Sequence, residues 1–173
     1  MNLTTLKTLA CTVLVAGATT LAGAQELKIG YINGERVLRE STPAKAAQAK
    51  LEAEFGKRER ELADDANRLK AAADRLDKEA PTLSEAERTR RQRELIEQDR
   101  DLQRKRRAFQ EDLNQRKNEE LANVVERANK VIKQIFDGEK YDLIVQDGVV
   151  FAGPRVDITD KVIRTLNNAA GGK

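Results

Sequence analysis

The large apolar residues between Ala44 and Phe136 are mirrored about one break, Pro81-Thr82-Leu83-Ser84, and this symmetry constrains the fold more than any other feature. Leu51, Phe55, Leu62 and Leu69 before the break answer Leu113, Phe109, Leu102 and Leu95 after it, each pair equidistant from Thr82. Residues facing each other across two antiparallel helices in fixed register must lie equally far from the turn. The pattern therefore predicts a helical hairpin arm over 44–136 with its tip at 81–84. Phe55, Leu62, Leu69 and Leu76 recur every seven residues, and Ala66, Ala73 and Ala80 fill seam positions where small side chains let the helices approach. Glu59 interrupts the pattern, so the seam is thin.

Local signals mark the ends of the two helices. Thr42 is the expected N-cap of the outbound helix, with Pro43 at the first helical position, where its missing N–H costs nothing. Pro81 stops that helix near Ala80. Ser84-Glu85-Ala86-Glu87 reads as a capping box that starts the return. The returning helix becomes more apolar as it descends, through Leu121, Val124, Val125, Ala128, Val131, Ile132, Ile135 and Phe136, and its lower end is expected to be buried. Asp137-Gly138 supplies a C-cap glycine.

The flanks, 25–43 and 137–173, read as a small base. Leu27 to Asn33 alternates like a strand with one buried face, and Glu35 to Glu40 reads as a short helix or bend. Tyr141–Val145 and Val149–Ala152 surround Gln146-Asp147-Gly148 and predict a β-hairpin. Ile158, Val162, Ile163 and Leu166 share one face of a last helix capped by Asp157 or Thr159, and Asn167–Lys173 is read as a frayed tail. The whole is an α+β chain. Three short strands and one short helix cannot cover their own edges, so the base is expected to self-associate through Ile29, Tyr31, Phe136, Tyr141, Leu143, Val145, Val149 and Phe151.

Residues 1–24 have the form of a secretory signal: Lys7, an apolar run from Leu9 to Leu21, then Ala22-Gly23-Ala24 before cleavage at Gln25. Cys11, the one cysteine, lies inside that run, so the exported chain needs no disulfide. Charged residues make up 35% of the chain, too many for a single compact core and consistent with long solvated helices. The signal removes one of 32 basic residues and none of 29 acidic ones, leaving near balance. That balance, with 3% aromatic residues, gives no nucleic-acid footprint.

The chain has no histidine, which removes the commonest general base and a common zinc ligand. Adjacent carboxylates such as Asp64-Asp65 and Glu119-Glu120 diverge by about 100° on a helix and gain no buried setting for acid–base work. No catalytic, cofactor or metal residues are assigned. The candidate binding residues are basic: Arg88, Arg90, Arg91 and Arg93 just past the tip, then Arg104, Lys105, Arg106 and Arg107. From Ala44 to Ala80 basic and acidic residues number nine each, whereas from Ser84 to Phe136 they number fourteen and eleven. The returning helix thus carries the arm's excess positive charge, for ion pairs within the hairpin or for attraction of acidic chains and anionic surfaces.

The ordered features resemble the Skp (OmpH-like) periplasmic chaperones. The resemblance rests on Leu51-Glu52-Ala53-Glu54-Phe55 continuing through Arg58 to Glu61-Leu62, the opening strand Lys28–Asn33, Tyr141-Asp142-Leu143-Ile144-Val145, and Asp157-Ile158-Thr159. It implies a homotrimer with a β-barrel body and three arms that hold unfolded outer-membrane proteins, without ATP or any cofactor, in the periplasm. No family motif is seen from Asp77 to Arg93, so no lipopolysaccharide-binding residues are carried over. An envelope-binding protein that uses its arginines on lipopolysaccharide or anionic membrane, and a structural coiled-coil adaptor, are the alternative readings.

Overall fold

The computed structural model describes residues 26–171; the signal-like segment lies outside them. In chain order the elements are β1 (Ile29–Tyr31), α1 (Gly34–Glu40), α2 (Thr42–Glu79), α3 (Glu85–Glu139), β2 (Leu143–Val145) and α4 (Thr159–Gly171). At about 1.5 Å per residue, α2 and α3 extend roughly 57 and 82 Å. They form the arm.

The seam follows the mirrored residues. Phe55 and Phe109 meet edge to face with centroids 5.8 Å apart. Phe55, Leu76 and Leu102 are buried, while Leu51, Leu62, Leu69, Leu95, Phe109 and Leu113 are half-buried, as expected where one apolar stripe is flanked by solvent on both sides. At the tip, the Thr82 backbone N–H and hydroxyl both donate to the Glu79 carbonyl at 2.9 Å. Ser84 Oγ then accepts from the Glu87 N–H at 3.3 Å. Only half of the expected capping box forms. The Glu87 carboxylate turns to Arg90 and Arg91, because a charge-assisted contact to guanidinium is stronger than one to a neutral amide.

The base differs from the expected β-hairpin. β2 pairs in parallel with β1, in the register Ile29↔Leu143, Gly30↔Ile144 and Tyr31↔Val145. Parallel strands need a long crossover, and here the arm serves as one. The other edge of β1 is taken not by Val149–Ala152, which form no strand, but by the segment around Asp157. The Tyr31 N–H donates to the Val156 carbonyl at 2.7 Å, and the Ile158 N–H donates to the Tyr31 carbonyl at 2.9 Å. β1 is therefore the central strand, and its Gly30 lies against Ile158, Ile144 and Tyr141.

Three boundaries also move. Ser41, not Thr42, is the N-cap residue of α2; it is fully buried and its hydroxyl has no hydrogen-bond partner. The Thr42 N–H instead donates to Asn167 Oδ1 at 2.7 Å. That contact ties in the segment read as a frayed tail, and α4 runs to Gly171. α3 continues past Gly138 and ends at Lys140, which adopts the left-handed conformation (φ 56°). Tertiary packing decides this: Lys28 Nζ donates to the Glu139 carbonyl at 2.7 Å and lies 4.2 Å from the centre of the Tyr141 ring, holding the chain end against β1.

The core packs Ile32 and Val37 against Ala128, Val131 and Ile135 of α3 and Ile158, Val162, Ile163 and Leu166 around α4. Tyr141 is buried in it and Phe136 packs on it.

Candidate interaction surface

The arm carries its charge in two different ways. On one flank, five ion pairs cross from α2 to α3: Lys50–Glu120 (3.5 Å), Glu54–Arg116 (3.2 Å), Arg58–Asp112, Asp65–Lys105 (2.7 Å) and Glu79–Arg91 (2.6 Å). Every pair is equidistant from Glu85, so all five belong to one register. A slip of one heptad would set Arg58 against Lys105 in one direction, or Asp65 against Asp112 in the other. The ladder therefore selects the register more than it stabilises the arm, since exposed pairs contribute little individually. Sequence reading found the apolar mirror but missed this charged one, whose signal was opposite charges equidistant from a second centre.

This ladder divides the basic cluster. Arg91 is taken by Glu79 and Glu87, Lys105 by Asp65, Arg90 by Glu87 and Arg104 by Asp101. Lys105 and Arg68 hold the Asp65 carboxyl below its ordinary range, and Arg90 and Arg91 do the same to Glu87. Of the carboxylate pairs considered for acid–base work, Asp65 is held as above and Asp64 is exposed, while Glu119 and Glu120 are both held by Arg116.

Arg88, Arg93, Arg106 and Arg107 make no ion pair among the described residues and are exposed. Arg93, Arg100 and Arg107 each precede a seam residue (Leu95, Leu102, Phe109) by two positions, about 200° around the helix, so they project directly away from α2. Arg100 was not singled out from the sequence; its seven-residue spacing from the other two was the available signal. Ile96, half exposed, sits between Arg93 and Arg100, and Glu97 and Glu111 are the acids on this face. Five helical turns below Arg107, the face becomes apolar at Val125. Here Ile32, Val37, Leu38, Val125 and Ile132 line a shallow groove between α1 and α3. The outward face of α3 thus grades from cationic near the tip to apolar at the base.

At the base, Ile29 and Leu143 are exposed on neighbouring strands, and Tyr31, Val145 and Val149 are half-buried. Val150 and Phe151 stand out in solvent at 82% and 93% exposure. Among the described residues, the outer edge of β2 has no strand beside it.

A family model described as outer membrane protein (OmpH-like) matches residues 28–166. Among solved structures, the chain is similar to a candidate outer membrane chaperone (OmpH-like) from Caulobacter crescentus CB15. The TM-score is 0.69 at 23% identity, covering 83% of this chain and 85% of that one, which establishes a shared fold. A comparison with curated proteins returns no match.

Proposed function

The chain belongs to the OmpH-like outer membrane protein family, and on that premise we propose that it is an ATP-independent periplasmic holdase. It keeps unfolded outer-membrane β-barrel proteins from aggregating before membrane insertion. The observation that carries this reading is the graded outward face of α3. It offers separated cations, an isolated Ile96 and a shallow apolar groove, over which the contacts of a client would be spread. Many weak contacts sum to retention while each exchanges quickly, as a carrier that must release its cargo requires.

In this reading the exported chain, cleaved before Gln25, works as a homotrimer whose joined bases form a barrel body below three arms. Supporting this are the unpaired edge of β2 and the nearby apolar residues Ile29, Leu143, Val150 and Phe151, which a lone chain leaves in water. Val149–Ala152 has a strand-like sequence without a strand partner among the described residues, so a neighbouring copy is the natural complement.

The test is dilution of a urea-unfolded outer-membrane β-barrel protein into buffer containing the protein, followed by light scattering. Suppression should be near stoichiometric and should vanish in a variant whose arm is cut to a short loop but which still oligomerises. A Leu62→Asp, Leu102→Asp double variant should splay the arm and lose holding. Equal suppression by the full and short-arm forms would sink the proposal. Arg88, Arg93, Arg106 and Arg107 of the basic cluster, with Arg100 beside them, favour one second reading, binding to lipopolysaccharide or anionic membrane. That activity would need no unfolded protein and would weaken steeply with salt.

A further inference from the structure

The chain contains three Asx-Gly steps, Asn33-Gly34, Asp137-Gly138 and Asp147-Gly148, and the fold treats them differently. Such steps are chemically labile because glycine has no Cβ to keep its backbone nitrogen away from the preceding side-chain carbonyl. Reaction still requires a side chain that can swing, an unhindered nitrogen and a backbone that can bend.

At Asn33 these conditions fail. Its side-chain oxygen is occupied by the Arg36 N–H at 2.9 Å, its own N–H donates to Thr159 Oγ1 at 2.9 Å, and the Gln146 side chain crowds Gly34. At Asp137 they fail again: the step lies in the last turns of α3, whose geometry fixes the backbone, and the carboxylate is held by Lys133 at 2.9 Å. Asp147-Gly148 meets all of them. Both residues are exposed and outside any helix or strand, Gly148 sits at φ 76° with open space around it, and neither residue makes a hydrogen bond or ion pair among the described residues.

We propose that Asp147-Gly148 is the site of spontaneous isoaspartate formation in this protein. The Gly148 nitrogen attacks Asp147 Cγ; a C–N bond forms, the carboxyl C–OH bond breaks, and the nitrogen's proton leaves with the hydroxyl as water. Water then adds to the resulting succinimide. Opening at the side-chain carbonyl restores aspartate. Opening at the main-chain carbonyl leaves the chain linked through Cγ, with a free α-carboxylate. The net change is an isomerisation that consumes no oxidant or co-reactant. It inserts one extra backbone carbon between β2 and the exposed Val150 and Phe151, and so shifts that segment relative to the strand.

The full-length protein is incubated at neutral pH and physiological temperature, folded and in urea, and peptides are sequenced by electron-transfer fragmentation, which distinguishes the two linkages. In urea, Asn33 should convert first, because its neutral carboxamide is attacked more readily than an ionised carboxylate. In the folded protein the order should invert, with isoaspartate appearing first at Asp147. Asp147→Asn should accelerate conversion at this position severalfold, and Asp147→Glu should abolish it, because glutamate must close a larger ring. A folded protein that follows the order seen in urea, or one that shows no conversion at residue 147 after the unfolded chain has reacted, overturns the proposal.

Discussion

Replacing Leu102 with Ala tests whether the arm opens independently of the base. Leu102 is buried at 4% exposure in the middle of the seam, near Leu69 and Ala72 and beside the Asp65–Lys105 ion pair. The substitution removes three carbons at about 0.8 kcal/mol each. In a deep core the residual cavity would add substantially to that. Here the seam is one side chain thick with solvent on both flanks, so the gap relaxes and the cost stays at about 2–3 kcal/mol. At about 1.4 kcal/mol per factor of ten, local opening of the arm should become roughly 30- to 150-fold more frequent. Hydrogen exchange read by mass spectrometry measures this directly. Peptides covering 62–76 and 95–109 should lose protection by that factor, while those containing Ile32, Val162 and Leu166 stay unchanged. An equal loss in the base would show that arm and base open as one unit. A loss below about threefold in the arm would show that Leu102 is not held in a seam at all.

Three further outcomes follow from the same geometry. Ser41→Ala should leave the urea midpoint unchanged or raise it, since it removes a buried hydroxyl with no partner, whereas Ser84→Ala should lower arm stability by about 0.5–1 kcal/mol because that hydroxyl does cap a helix. Gly30→Ala should cost about 1–3 kcal/mol in the base, measured by thermal unfolding, because its Cβ would come 2.9 Å from Ile158 Cδ1 with Ile144 and Tyr141 behind it. Asp65 and Glu87 have folded pKa values below their ordinary 3.8 and 4.5, so their stabilisation is complete above those values and is lost as pH falls below them. Circular dichroism melts should therefore be flat from neutrality to about pH 5 and decline in more acidic buffer; a decline already complete above pH 5 would contradict the assignment.

The arm was legible because a long antiparallel hairpin obeys a linear rule: equal distances from the turn mean contact. Phe55 meets Phe109 for that reason. The α4 face of Val162, Ile163 and Leu166 was equally readable, since burial of one helical stripe needs only the period of 3.6. Asp137-Gly138 and Gln146-Asp147-Gly148 misled, because turn chemistry states where a chain is able to bend and not where packing requires it to. Among the candidate binding residues, the ion-paired Arg91 and Lys105 were separable from Arg93 and Arg107 only by matching opposite charges equidistant from Glu85, since their partners Glu79 and Asp65 stand on the other helix.

The sequence by itself determined the hairpin, its tip and its apolar register, because those depend on periodicity and on distance along the chain. Only the tertiary structure decided that β2 joins β1 in parallel, that Asp157 rather than Val149–Ala152 closes the other edge, and that α3 stops at Lys140. Each of these depends on segments more than 100 residues apart competing for the same few hydrogen bonds around Tyr31 and Lys28, as in the contact between the Lys28 N–H and Asp142. Local propensity carries no record of that competition.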